Sequence, residues 1–415
     1  MTDIIGKVIY NSDKYETITE INKLLDKAKI PVNVLVGKNN KNSNVMQIKT
    51  ENQQIKQYLE LFGVFLDPII GIDLGSSAVK IMELTQKNNR YCVKNFAVEH
   101  LQTGDIVEKN IRNKDAVTKA LLKALNKSKI TSRLGCISIP SSSSISKIIQ
   151  LEVGLTEKEI ANEISLEADR YIPYELDEVN LDFEVLGPSK IGHNLNDVLL
   201  VASKKENINT RINILEDVGI KAKIIDIEPL SIERVFCKLI AKDLPEQGKE
   251  KLIALLDLGA TSTSLNFFDN LRSVYTKEQA FGGQQLLDEI QKRYGLTLPE
   301  AILARKYGDL PEDYQVDVLE PFRTKIAQQI TRACQLFLSS SEYKRIDYIV
   351  LTGGTSNLVG IDDLVRELLH VKVFVANPFS NVLLEDHIAA DVLNEESAGL
   401  VNCCGLALRN FKETA

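Results

Sequence analysis

The sequence lacks several features that define particular protein classes. No apolar stretch reaches the roughly 18 residues that a membrane-spanning helix needs, and the N-terminal residues do not have the basic-then-apolar order of a signal peptide. No Lys/Arg run is long enough to follow a nucleic-acid backbone, and the net charge is −7. We therefore expect a cytoplasmic protein with no transmembrane segment and no nucleic-acid partner.

Cysteine and histidine are scarce and scattered. The six cysteines and four histidines form no CxxC pair and no cluster with the spacing of metal ligands. We assign the cysteines to structural positions and no chemistry to the histidines.

The length and composition are those of a folded protein with more than one lobe. The chain has 415 residues, 44% of them hydrophobic and 26% charged, and single cores stop growing at about 250–300 residues. Residues 1–66 differ from the rest, being rich in Asn and Lys with one helical pattern at Thr17–Ala28. We interpret them as a separate N-terminal extension of unknown role, with a fusion tag as an alternative origin.

From Pro68 onward, an order of three strands, a helix and a further strand occurs twice. The first copy comprises strands at 69–75, 79–84 and 91–101, a helix at 115–127 and a strand at 135–140. The second copy comprises strands at 253–259, 265–270 and 271–281, helices at 283–294 and 320–343, and a strand at 347–354. This duplication predicts a two-lobed α/β nucleotide clamp.

The segment between the copies has its own pattern. It carries helical patterns at 156–171 and 207–218 and strand patterns at 181–187 and 197–203. We expect a small inserted α+β subdomain here that covers the first lobe and presents a groove.

The first candidate site is the turn that follows the first strand. Backbone N–H groups around Gly75 suit phosphate oxygens, Ser76 and Ser77 add hydroxyls, and Lys80 adds a positive charge. Asp73, at the strand end, is placed to hold water on Mg²⁺. By itself this motif is also compatible with an ordinary hairpin.

The second candidate site repeats the first. It consists of Asp257, Gly259, Ala260, Thr261 and Ser262. Two such turns that face each other would enclose the β- and γ-phosphates of one nucleotide, and a Mg²⁺ ion held through water would relieve the repulsion between the two aspartates.

Two glycine junctions complete the predicted site. Gly353, Gly354 and Thr355 lie between a strand and a helix, where the backbone can approach a ribose or a base closely. Gly282 and Gly283 precede a helix that we expect to lie against the nucleoside, although packing explains them equally well.

Together these loops resemble the phosphate-1, phosphate-2 and adenosine motifs of the actin, Hsp70 and sugar-kinase superfamily. Within it, the phrases GIDLGSSAVKIMEL, ISLEADRYIPYELDEVNLDFEVLG and YIVLTGGTSNLVGIDDLV resemble the PilM family of pilus-assembly proteins. The resemblance covers Ile69 to about Asn410 and implies ATP and Mg²⁺ as cofactors.

The resemblance also implies a domain organisation. It assigns 67–147 to the first actin-like lobe, 148–224 to an inserted FtsA/PilM-type subdomain, and 225–250 to a return helix. Residues 251–380 form the second lobe, and 381–415 return to the first.

The resemblance further implies a partner and a location. It predicts that a groove between the first lobe and the insert takes the N-terminal peptide of PilN, peripheral to a bacterial inner membrane, where platform and motor proteins of the type IV pilus are further partners. A homo-oligomer is compatible with the sequence.

Fast ATP hydrolysis is not expected. Several relatives carry a carboxylate or Gln after the strand at 135–140, where this chain has Ser141–Ser144, and serine is a poor general base. An adaptor with at most slow ATPase activity is our main hypothesis. A filament-forming FtsA-like division protein and a small-molecule kinase are the alternatives.

Overall fold

The structure, a computed structural model, describes residues 68–411 except Asn89, Lys190 and Ile191, and for Asp169 it describes the backbone only. The predicted extension at 1–66 and its helix at Thr17–Ala28 lie outside the described residues.

Six strands form the sheet of the first lobe. They are β1 (Ile69–Leu74), β2 (Ala78–Lys87), β3 (Arg90–His100), β6 (Leu134–Ile139), β10 (Lys221–Ile227) and β16 (Leu383–Leu384). Their spatial order is β10-β6-β1-β2-β3-β16. β1, β2 and β3 form an antiparallel meander, whereas β6 runs parallel to β1 and β10 parallel to β6.

Five strands form the sheet of the second lobe. They are β11 (Leu252–Leu258), β12 (Thr263–Asp269), β13 (Arg272–Gln279), β14 (Tyr348–Thr352) and β15 (Lys372–Val375). Their order is β13-β12-β11-β14-β15, with the same antiparallel meander and the same two parallel neighbours as in the first lobe. The predicted duplication is therefore confirmed.

Helices cover both large sheets, which explains why the central strands are continuous apolar runs. In the first half they are α1 (Lys114–Ser128), α4 (Lys205–Asp217) and α5 (Glu228–Lys238), whereas α2 (Glu157–Leu166) and α3 (Ala168–Tyr171) pack on the inserted sheet described below. In the second half they are α6 (Gln284–Tyr294), α7 (Leu298–Tyr307), α8 (Glu320–Ser340), α9 (Ile361–Leu369), α10 (Ala390–Glu396) and α11 (Val401–Ala407). A π-helical turn at Gln315–Leu319 precedes α8, and a two-stranded hairpin, β4 (Ile106–Val107) and β5 (Asn110–Ile111), precedes α1.

A third, three-stranded sheet forms the inserted subdomain. Its strands are β7 (Ser144–Glu152), β8 (Val179–Pro188) and β9 (Leu195–Lys204), with β9 in the centre. The predicted insert, 148–224, also contains α4 and β10. β10 pairs with β6 and buried residues of α4 pack in the first-lobe core, because their apolar faces complete that lobe. The separate sheet therefore spans 144–204.

The helix predicted at 156–171 is interrupted. A capping box, in which Thr156 and Glu159 satisfy each other's backbone N–H groups, starts α2. Glu167 then takes a bridge-region conformation (φ −106°, ψ 11°), and the Tyr171 hydroxyl donates to its carboxylate at 2.8 Å. The prediction of one continuous helix was wrong at this residue.

One apolar cluster joins the two lobes. It contains residues of β2 and β3 from the first lobe, β11 and β12 from the second, and the connecting helices α5 and α11. The rings of Phe236 and Phe268 stack within it, 4.3 Å apart. β16, from the C-terminal segment, pairs in parallel with β3 of the first lobe.

Candidate functional site

The turn between β1 and β2, which was predicted to bind phosphate and is called the first phosphate loop below, is tight. The Gly75 N–H donates to the Ala78 carbonyl at 3.1 Å. Because Asp73 and Lys80 face each other across the antiparallel pair, their side chains lie on one side of the sheet, and the Lys80 ammonium is 3.1 Å from the Asp73 carboxylate. Lys80 therefore points inward, as the predicted site requires.

Lys80 is held in its charged form by two carboxylates from different lobes. Burial by itself would lower the pKa of Lys80, but Asp73 and Asp257 outweigh it and raise the pKa above the ordinary lysine value. The two aspartates that the sequence predicted to face each other thus share one electrostatic environment.

The second phosphate loop repeats the turn. The Gly259 N–H donates to the Ser262 carbonyl at 3.0 Å, and Asp257 lies at the same strand position as Asp73. Burial raises the pKa of Asp257, with Lys109 and Lys80 opposing the shift. Within residues 68–411, no described group donates a hydrogen bond to this carboxylate.

The two phosphate loops touch. The Thr261 hydroxyl donates to the Ser76 hydroxyl at 3.0 Å, which joins residues 185 positions apart in the sequence. The two turns therefore lie directly against each other.

The glycine junction at Gly282 and Gly283 packs on the second phosphate loop. The Gly283 N–H donates to the Gly259 carbonyl at 3.0 Å, and the Thr355 hydroxyl donates to the same carbonyl at 2.9 Å. A side chain at Gly282 would lie 2.5 Å from the carbonyl oxygens of Gly259 and Ala260. The packing interpretation explains these two glycines.

At the junction of Gly353 and Gly354, there is no room for a side chain at the first glycine but there is room at the second. Gly353 has φ +85°, and a side chain there would lie 2.5 Å from the Asp257 carboxylate. Gly354, by contrast, has no heavy atom of the described chain within 4 Å of where a side chain would begin. Gly354 therefore borders open space beside Asp257.

Asn402, on α11, is a residue of this site that the sequence analysis missed. Its amide donates to Asp73 at 2.9 Å and to Ser138 at 3.3 Å, and its oxygen accepts from Ser231. No local pattern indicates this role, because 329 residues separate Asn402 from Asp73.

A charged cluster at the cleft was also missed. Lys109 lies 2.6 Å from the Glu228 carboxylate and 3.0 Å from the Glu278 carboxylate, so it joins the β4–β5 turn, the first residue of α5 and β13. These three side chains are 13–16% exposed. Burial raises the pKa of Glu228, against the effect of Lys109, whereas Lys109 and Ser262 outweigh burial and lower the pKa of Glu278.

The turn that carries Lys109 is strained. Glu108 and Lys109 have φ of +49° and +61°, which non-glycine residues rarely adopt. The buried Arg211 guanidinium donates to the Lys109 carbonyl at 3.1 Å. Burial lowers the pKa of Arg211 to about 10, although Glu228 opposes the shift. Neither Glu nor Lys predicts a positive φ angle, so no residue type in the sequence indicated this turn.

A carboxylate therefore exists near the phosphate loops. The segment after β6, where several relatives carry a carboxylate or Gln, contains only serines here, and Ser141–Ser143 form a 3₁₀ turn. Glu228 comes instead from the start of α5 and is close enough to Asp73 for their charges to repel.

All six cysteines are free, and Cys237 is the one that is not fully buried. Within the described part of the chain, no group of three or more His, Cys, Asp or Glu residues has metal-binding geometry.

Apolar surface is exposed where the inserted sheet meets the first lobe. Leu199 and Val201 of β9 pack against the first-lobe core. Ile148 lies opposite Leu199 in the register of β7 and β9 and is 53% exposed. Among the helices of residues 68–411, none has the length and apolar content to cross a bilayer.

Comparisons with known proteins agree with the duplicated, actin-like two-lobe fold. The cell division protein FtsA of Bacillus subtilis (strain 168) is 25% identical over 358 residues, which cover 74% of this chain and 78% of FtsA. A solved PilM–PilN type IV pilus biogenesis complex aligns with a TM-score of 0.69 and 23% identity, covering 83% of this chain and 98% of that one. The structure of the ethanolamine utilization protein EutJ from Carboxydothermus hydrogenoformans aligns with a TM-score of 0.48 and 14% identity, covering 82% and 89%.

The family assignment rests on a match across both lobes. A sequence profile described as type IV pilus assembly protein PilM matches residues 71–411, which include both phosphate loops, the inserted sheet and α11. The chain therefore belongs to the PilM family of type IV pilus assembly proteins.

Proposed function

We propose that this protein is a cytoplasmic, ATP-dependent adaptor of the type IV pilus platform, peripheral to the inner membrane, and that it binds the N-terminal tail of PilN. The observation that supports it most is the contact between Thr261 and Ser76, which sets two phosphate loops from different lobes against one cleft. A ligand held by both loops favours one arrangement of the lobes. Such a shift would let nucleotide binding change the affinity for a partner, as the proposed adaptor requires.

The nucleotide would use the groups already described. Backbone N–H groups of the turns at Gly75 and Gly259, together with Lys80, would bind the phosphates, and the nucleoside would occupy the open space beside Gly354. The cleft suits a phosphate ligand because Lys80 is charged there. A triphosphate would take the place of one of its carboxylate partners.

The donor set also fits Mg²⁺. Asp257 is an oxygen donor that accepts no hydrogen bond from the described residues, and Asp73 faces the same cleft. Mg²⁺ retains several waters in proteins, so two carboxylates that act through water are sufficient. The ion would neutralise the repulsion between the two aspartates.

The partner site would lie beside Ile148. The similar solved complex contains PilM with PilN, which supports the same class of partner here. An apolar residue that is 53% exposed at the junction of two subdomains would serve as an anchor point for a short peptide.

A titration of a synthetic peptide with the N-terminal sequence of PilN from the same organism, with and without saturating ATP-Mg²⁺, tests the partner and the coupling. We expect ATP to change the peptide affinity by about 5- to 150-fold, the usual size of such couplings. Ile148→Asp should abolish peptide binding, and the matched control Val359→Asp, whose parent residue is 81% exposed on the second lobe, should not. Equal peptide affinity with and without ATP would refute the coupling.

The nucleotide site is tested separately with Gly354→Val. We expect the unfolding temperature of this variant to equal that of the wild type, because the added side chain meets open space. We also expect it to lose ATP binding, because the side chain fills the space that the nucleoside would occupy. Wild-type ATP affinity in this variant would place the nucleoside elsewhere.

The FtsA relative supports an alternative, a filament-forming protein. ATP-dependent light scattering or sedimentation of the purified chain distinguishes filament formation from the adaptor.

A further inference from the structure

Glu278 lies between the second phosphate loop and the inserted subdomain. Its carboxylate oxygen Oε1 accepts from the Ser262 hydroxyl at 2.5 Å and lies 3.0 Å from the Lys109 ammonium. The other oxygen, Oε2, is buried and has no hydrogen-bond partner among the described residues. A buried carboxylate with one unsatisfied oxygen gains free energy from any donor brought within reach.

A donor is available on the side of the insert. The turn at Ser141–Ser143 packs against β13, and Ser142 contributes to the lowering of the Glu278 pKa. This turn runs directly into β7, the first strand of the inserted sheet. It is also tied to the central strand of that sheet, because the Ser203 hydroxyl of β9 donates to the Ser143 carbonyl at 2.7 Å.

Phosphate binding would change the partners of Glu278. A serine hydroxyl has one proton to donate, so Ser262 can serve either Glu278 or a phosphate oxygen, but not both. When Ser262 turns to a phosphate, Oε1 keeps Lys109 and loses the hydroxyl. The remaining hydroxyl donor beside the carboxylate is then Ser142.

We propose that Glu278 is a positioning residue that transmits the occupancy of the phosphate site to the inserted subdomain, because the loss of the Ser262 hydroxyl strengthens its interaction with Ser142. This inference rests on the proposed function, since it specifies how ATP and peptide binding are coupled. The coupling runs through a contiguous set of contacts: Ser262, Glu278, the Ser141–Ser143 turn, and the paired strands β7 and β9.

Ser142→Ala is the main test, because Ser142 belongs to neither the nucleotide site nor the peptide site. In the wild-type protein the peptide affinity should change at least about fivefold on addition of ATP-Mg²⁺. In Ser142→Ala this ratio should fall to within about twofold of one, while the protein still binds ATP. Ser142→Thr, which keeps the hydroxyl, should restore the wild-type ratio.

Hydrogen exchange provides a readout that does not need the peptide. ATP-Mg²⁺ should change the exchange rates of β7 and β9 in the wild-type protein and leave them unchanged in Ser142→Ala and Glu278→Gln. Glu289→Gln, which makes the same substitution at an exposed residue of the second lobe, is the matched control and should behave as the wild type does.

The outcomes separate the two proposals. A wild-type protein that binds no ATP or no peptide refutes the proposed function and this inference with it. A wild-type protein that couples the two, together with a Ser142→Ala variant that has the same ratio and the same exchange changes, refutes only the role of Glu278.

Discussion

Burial makes Asp257 a weaker acid than an exposed aspartate. Its pKa is raised because its charge is desolvated, and Asp73 and Glu278 add repulsion to this, although Lys109 and Lys80 partly compensate. The ionised carboxylate at neutral pH therefore costs stability that a bound cation would recover.

Asp257→Asn should stabilise the nucleotide-free protein at pH 7 and abolish ATP binding. Because folding raises the pKa of Asp257, protonation of this carboxyl stabilises the folded state. This stabilisation is lost as the pH rises from the ordinary aspartate pKa of 3.8 through the pKa in the folded state. The advantage of Asn should therefore grow from acidic to neutral pH in thermal unfolding. Asp309→Asn, at an exposed position of the second lobe, should show no such trend.

Gly282 is required for packing. Gly282→Ala should destabilise the protein by about 1–3 kcal/mol, because its methyl group would meet two backbone carbonyl oxygens that cannot move aside. Gly354→Ala, which meets open space, is the matched control and should unfold within about 0.5 kcal/mol of the wild type. Equal stability of the two variants in denaturant titrations would contradict the packing role of Gly282.

At the scale of secondary-structure elements, α11 is the segment on which the first phosphate loop depends. It approaches β1 and α5 so closely that side chains at Gly71 and Gly405 would overlap the backbone carbonyls of Cys403 and Ser231. This approach brings the Asn402 amide to Asp73. The position of the Asp73 carboxylate is therefore set by the last helix of the described chain.

Asn402→Ala should lower stability by about 1–3 kcal/mol and weaken ATP binding. The substitution leaves one oxygen of the buried Asp73 without its amide donor, and an unsatisfied buried polar group carries a penalty of this size. The Ser231 hydroxyl can still donate to the Glu228 carbonyl. Asn394→Ala, on the exposed surface of the neighbouring α10, should change neither property measurably. Thermal unfolding and an ATP titration of both variants provide the comparison.

At the scale of the whole molecule, two kinds of contact hold the lobes together. The apolar cluster around Phe236 and Phe268 contains no residue of the two phosphate loops, whereas Glu278 of the charged cluster of Lys109, Glu228 and Glu278 contacts Ser262 of the second loop. The charged cluster is mostly buried, so removing one member leaves its partners uncompensated.

Lys109→Met should destabilise the protein by about 3 kcal/mol, because two buried carboxylates would lose their shared cation. Lys114→Met removes an ion pair with Asp217 whose side chains are 42% and 48% exposed, and it should cost less than about 1 kcal/mol. A Lys109→Met protein as stable as Lys114→Met would show that the charged cluster contributes little to joining the lobes.

Sequence periodicity and glycine placement determined the repeated strand order and both phosphate turns, because these depend on interactions between residues close in the chain. Asp73, Gly75, Lys80, Asp257 and Gly259 were predicted for this reason, and in the structure Asp73 and Asp257 both act on the charge of Lys80. Their contacts with nucleotide stay a prediction.

Only the tertiary structure decided what surrounds those turns. Asn402, Lys109, Glu228 and Glu278 come from different elements, and their side chains meet because α5, α11 and the two sheets pack together. The limits of the inserted sheet were decided in the same way, since β10 joins the first lobe by pairing with β6. Long-range packing leaves no periodic signal in a single sequence, so the turns that would grip a ligand were predictable and the residues that position them were not.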